Sequence, residues 1–310
     1  MTIATKPAGG RSVCVAATLL AAAALAASFP VSLPAQQQWR TVTAQRQRQP
    51  MDTLRVRMLY GAGKLQLGAA PDSLLYDIRE RFDATRTRET HRYDAATHTL
   101  TVGSDSAVTR MFSLRKRAFH ASGDDNGQGS DLTLGLVTGI PLDLDLELGA
   151  TESTIDLSKL SVSRLELDAA ASAASLTFGT VNPVEMQELT LRTGAAGLDV
   201  RQLGNARARL VHLNSGVGSV TLDLSGDWTG RMTLDVHSVL GQITIRVPSD
   251  VGVESHLTKL IGNVDQAGFT QKNGVAYSAN WSSATRTIVV NGEATLASVA
   301  IQFQGASGQE

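Results

Sequence analysis

The 310-residue sequence predicts an all-β fold: a single-stranded β-solenoid, β-helix-like, with rungs of about 22 residues and an N-terminal β extension. Three observations carry this. Apolar and polar residues alternate, as in LDLDLEL at 142–148, which is the period of a half-buried strand. The unit of strand, small break and strand recurs, with second-strand anchors at Ile155, Leu176, Leu198, Val220, Ile243 and Val264, spaced by 21, 22, 22, 23 and 21 residues. A fixed period of that size marks stacked repeats. Aromatic residues make up 5%, so Leu, Val, Ile and Ala must carry the core, which suits narrow rungs.

Taken in order, residues 1–35 read as a signal peptide. Lys6 and Arg11 form a basic start, residues 13–27 an apolar run, and Pro30 and Pro34 a break, with cleavage expected after Ala26 or Ala35. The run is shorter than the ~20 residues that span a bilayer. A periplasmic or secreted location follows as an expectation, and membrane contact is expected only through this leader if it stays uncleaved. Residues 36–50 are rich in Gln and Arg and read as a polar linker.

Residues 51–121 form the expected N-terminal β region. LRVRM at 54–58 alternates, breaks at Gly61 and Gly63, and resumes in LQL at 65–67. LLYDIRERF at 74–82 fits a strand better than a helix, because its neighbours are β. RYD at 92–94 and LTV at 100–102 make a hairpin, and residues 111–119 a basic strand. Residues 122–131 are a loop by composition. Asp124, Asp125 and Asn126 in it lack the alternating oxygen ligands and distant Glu of a calcium loop.

Residues 132–304 are the expected solenoid domain. Strands 189–191, 211–213 and 234–236 lead through glycine-containing breaks to 198–200, 220–224 and 243–245. Asn273-Gly274 marks a tight turn. Residues 287–290 and 296–303 form one last strand pair, a capping unit, and residues 305–310 a tail.

Net charge is −1, so no global field attracts nucleic acid, and no nucleic-acid partner is expected. The one cysteine, Cys14, lies in the leader, leaving the mature chain without a thiol or disulfide. No serine sits in Gly-x-Ser-x-Gly, and Ser215 falls inside a turn repeated elsewhere without serine. Asp143 and Asp145, two apart on a strand, fit a solvated face better than a glycosidase pair. One arrangement has metal-ligand chemistry. Stacked rungs place His212, Asp235 and His256 in one outward ladder at ~4.8 Å spacing, with His237 beside it. A flat ladder projects its side chains in parallel rather than onto one point, so no metal, cofactor or catalytic residue is expected.

Several phrases resemble one family: YGAG at 60–63, LLY at 74–76 with RYD at 92–94, IPLDL at 140–144, FGTVNP at 178–183, LGN at 203–205 and SGVGSVTLDLS at 215–225. They are similar to the toast-rack proteins, which include the C-terminal domain of LiaF-type cell-wall-active antibiotic response proteins and adhesin-like relatives. LiaF-type members carry several membrane helices and restrain a sensor kinase, whereas this sequence has one short leader. The resemblance implies a non-enzymatic, envelope-exposed scaffold that binds an envelope protein or polymer, with a part in an envelope-stress response. A surface adhesin-like module and a carbohydrate-active β-helix enzyme are the alternatives. Open solenoid edges also allow a homo-oligomer.

Overall fold

The computed structural model describes residues 38–85, 88–105, 130–228 and 230–305. The expected leader, the basic strand at 111–119, most of the loop at 122–131 and nearly all of the tail lie outside the described residues.

The stretch read as a polar linker is instead a strand, β1 (Trp39–Gln47). Composition misled because β1 lies at a sheet edge, where one neighbour suffices and charged side chains are tolerated. It runs antiparallel to β3 (Leu74–Asp83), with Val42 opposite Glu80 and Ala44 opposite Ile78. The guanidinium of Arg81 lies 4.2 Å from the Trp39 ring and that of Arg46 4.2 Å from Tyr93, so the basic residues cover aromatic faces.

β2 (Leu54–Ala69) is long because its two halves pair with different strands. Its first half lies parallel to β5 (Thr99–Asp105), Val56 opposite Leu100, and its second half parallel to β6 (Asp131–Leu136), Leu67 opposite Leu134. β4 (Arg88–Asp94) closes the expected hairpin with β5, Asp94 opposite Thr99, and β3 pairs antiparallel with β6. Antiparallel strands thus cap this end of a parallel stack.

The rungs follow: β7 (Pro141–Asp156), then β8 (Ser161–Ala169) with β9 (Ala173–Thr177), β10 (Glu188–Arg201), β11 (Leu210–Asp223) and β12 (Gly230–Pro248). The predicted break between two strands is mostly a corner within one continuous strand. All the strands belong to one hydrogen-bonded sheet that bends at the corner: the first limbs make one wall, called the first sheet, the second limbs make another, the second sheet, and both point alternate aliphatics into a single core. Leu191, Leu213 and Val236 stack in the first sheet, and Val200, Leu222 and Ile245 in the second. The corner holds small residues: Ala196 faces Gly218 and Gly218 faces Gly241. Gly241 has φ 133°, and a Cβ there would stand 2.0 Å from the Gly218 carbonyl oxygen.

The period is less even than predicted. Ile155 faces Leu176, but Leu176 faces Val200 rather than Leu198. Inward positions two apart are interchangeable to a pattern of period two, and only pairing separates them.

The end of the chain departs further from a simple coil. β17 (Arg286–Gln304) is one long strand, not a pair. It inserts in parallel between β12 and the strands β13 (Val251–Lys259) and β14 (Asn263–Asp265). Val264 therefore faces Val299, and Val299 faces Ile243. β15 (Phe269–Lys272) and β16 (Val275–Ser278) form a hairpin on β13. Asn273 (φ 52°) and Gly274 (φ 80°) make its expected tight turn.

The third side of the rungs is irregular and stapled by asparagines. Buried Asn182 accepts from Val162 N–H at 3.0 Å and donates to the carbonyls of Val162 and Ala206 at 2.7 and 3.1 Å. Asn205 donates to the Phe178 carbonyl at 2.7 Å and accepts from Asp227 N–H at 2.8 Å. These amides satisfy backbone groups that lack strand partners, as buried polar groups require.

Candidate functional site

The outer face of the first sheet carries the densest chemistry. Parallel pairing aligns its outward side chains in rows. One row runs Arg55, Asp143, Arg164 and Glu188; the next runs Arg57, Asp145, Glu166, Thr190, His212 and Asp235. The carboxylate of Asp143 lies 4.0 Å from Arg55 and 3.6 Å from Arg164. Arg164 reaches Glu166 at 2.9 Å, and Arg192 donates to Glu166 while lying 3.5 Å from Asp168. Sequence reading missed this network, because apart from Arg164 and Glu166 its members meet only through register.

The network moves proton affinities in opposite directions. The hydrogen bond from Arg192, helped by the charges of Arg192 and Arg164, holds the Glu166 carboxyl below the usual range. Burial first, and the Glu166 charge next, push Asp145 above it. A depressed carboxyl stabilises the fold above its unfolded value, and this is lost as pH falls through the folded one. Asp145 has the opposite sign. Arg192→Gln is therefore expected to lower the urea midpoint at neutral pH. The difference from wild type should close as pH drops below the usual carboxylate range, which midpoints at stepped pH would measure.

The predicted ladder is interrupted. His212 Nδ1 lies 3.4 Å from Asp235 as expected, but the neighbour of Asp235 on the far side is Asn291 of β17, which donates to it at 2.9 Å. His256 faces Asn291 rather than Asp235 and contacts Glu254 at 2.8 Å. The inserted strand, invisible to a periodicity count, separates the two histidines. His237 lies in the adjoining row, facing Asn214 and Glu293. Among the described residues, no three His, Cys, Asp or Glu side chains are grouped to hold a metal ion. The calcium candidates Asp124, Asp125 and Asn126 lie outside the described residues. Ser215 is buried at the corner, where the Thr193 hydroxyl donates to it at 3.2 Å.

A second missed group is internal. Glu80 is 1% exposed and His91 8%, with Oε2 and Nε2 3.0 Å apart. The alternation Leu74, Tyr76, Ile78, Glu80, Phe82 contains the signal, since it puts Glu80 in the inward set.

Residues 34–201, more than half the chain, match the family model for the N-terminal domain of toast_rack. The chain belongs to the toast-rack family. Residues 204–301 of this toast-rack chain also match the C-terminal model of the cell wall-active antibiotics response protein LiaF. No curated protein matches it. Similar solved structures include a candidate cell adhesion protein from Clostridium sporogenes, 16% identical, covering 86% of this chain and 100% of that one at TM-score 0.43. A candidate adhesin from Bacteroides fragilis is 11% identical and covers 84% and 97% at TM-score 0.37.

Proposed function

We propose that this toast-rack chain is a non-enzymatic binding module of the cell envelope, exported by its leader. It holds an envelope protein or polymer against the charged face of its first sheet. One observation carries the reading: the aligned rows from Arg55 and Arg57 to His212 and Asp235 present fixed charges of both signs on parallel strands. Such a face suits recognition by electrostatic complementarity. The match of residues 204–301 to the LiaF model supports a part in an envelope-stress response.

A photo-cross-linking residue at exposed Arg57, with a control at Thr244 on the second sheet, tests this in cells. The expected result is a discrete adduct from residue 57 that disappears with Glu166→Arg, and none from residue 244. Protease and muramidase digestion tell a protein adduct from a polymer one. Equal adducts from both faces, or none from either, would overturn the proposal.

A further inference from the structure

Six large aliphatic side chains stand outside the core at one corner. Val217 is 48% exposed, Val239 56%, Leu240 45%, Leu296 49%, Leu260 71% and Ile261 65%. They form a row. Val217 faces Leu240 and Leu240 faces Leu296 across β11, β12 and β17. Leu260 and Ile261 extend the row, their N–H groups donating to the carbonyls of Ala294 and Thr295 at 3.0 and 2.8 Å. The row spans three strands and the bend between β13 and β14, roughly 15 Å at the usual strand spacing.

The turn itself does not demand these side chains. The matching corner positions of earlier rungs are alanines, Ala62 facing Ala150 and Ala195 facing Val217. Bulk enters at β11 and persists to the bend before β14. The limbs on either side point their aliphatics inward, as with Val236 and Ile243 of β12, so the corner points outward and forms a ridge. The strand positions that flank it on the second sheet are exposed but uncharged: Ser219, Gln242 and Ser298. Exposed Lys259 precedes Leu260.

We infer that this ridge inserts into the interfacial layer of a lipid bilayer. A ridge presents a few hundred Å² of apolar surface, short of the ~800 Å² per partner that a stable protein pair buries. Two convex ridges also meet poorly, whereas lipid chains close around any apolar tip. Penetration of ~5–10 Å would sink the aliphatics and leave the hydroxyl and amide rim among headgroups. Lys259 and exposed Glu293, beside each other on the first-sheet flank, offset in charge, so the aliphatics carry the insertion. The inference stands apart from whatever the charged face binds.

The full chain carrying Cys14→Ser and Leu260→Cys, labelled with nitrobenzoxadiazole at residue 260, is mixed with phosphatidylcholine–phosphatidylglycerol vesicles. A second chain carries the label at exposed residue 282 through Ser282→Cys, in the turn before β17 and far from the corner. The label at 260 is expected to shift to shorter wavelength, brighten several-fold and be quenched by acyl-chain spin labels, while that at 282 stays unchanged. Adding Val239→Ser and Leu240→Ser should abolish the shift at 260. The inference is overturned if residue 260 does not respond. It is equally overturned if both sites respond alike, which would assign binding to the leader, or if the shift needs only higher protein concentration, which would assign the ridge to a second copy.

Discussion

Gly241→Ala is expected to lower stability by on the order of 4 kcal/mol, with overpacking and backbone strain each supplying ~1–3. The new methyl group would meet the Gly218 carbonyl oxygen at 2.0 Å, and that atom belongs to the backbone of a neighbouring rung. Relief requires the two strands to part at the corner, which breaks ladder hydrogen bonds on both. Gly274→Ala is the control. Gly274 also has positive φ, 80°, but nothing lies within 4 Å of its added Cβ. Its cost should be the strain alone, ~1–2 kcal/mol. Urea denaturation measures both, and similar losses at the two positions would show that the close approach of rungs is unimportant.

His91→Leu is expected to cost about 1–3 kcal/mol, the usual penalty for leaving a buried polar group without its polar neighbour. Glu80, 1% exposed, would keep its carboxyl group without the imidazole 3.0 Å away. The two groups face each other 3.0 Å apart between β3 and β4 and are out of line for a hydrogen bond. Pairing His91→Leu with Glu80→Met should recover most of the loss, because well-packed apolar residues often replace a buried pair at little cost. A double variant no more stable than the single one would mean that shape, not polarity, makes His91 matter.

The solenoid was legible because inward aliphatics at period two, broken by glycine, leave little choice of structure. The corner glycines and the Asn273-Gly274 turn were readable for the same reason: side-chain size and left-handed backbone are local properties. What escaped was non-local. The anchor slip from Leu198 to Val200 keeps the same face inward and changes only the partner. The Arg192–Glu166–Arg164–Asp143 network exists only once three strands are in register. The metal-like ladder failed through topology: β17 returned to sit between Asp235 and His256. β1 failed through composition, since an edge strand of Gln and Arg looks like solvated chain until Trp39 and Tyr93 are seen beneath Arg81 and Arg46.

The placement of β17 has a consequence for biosynthesis. A repeat stack can ordinarily add each layer as it leaves the ribosome, and a premature stop removes only outer layers. Here residues 286–304 supply an interior layer, so β13 to β16 must wait, made but undocked, until the strand that joins them to β12 has emerged. A nonsense codon shortly before Arg286 would deprive the nascent protein of both its seam and its distal end.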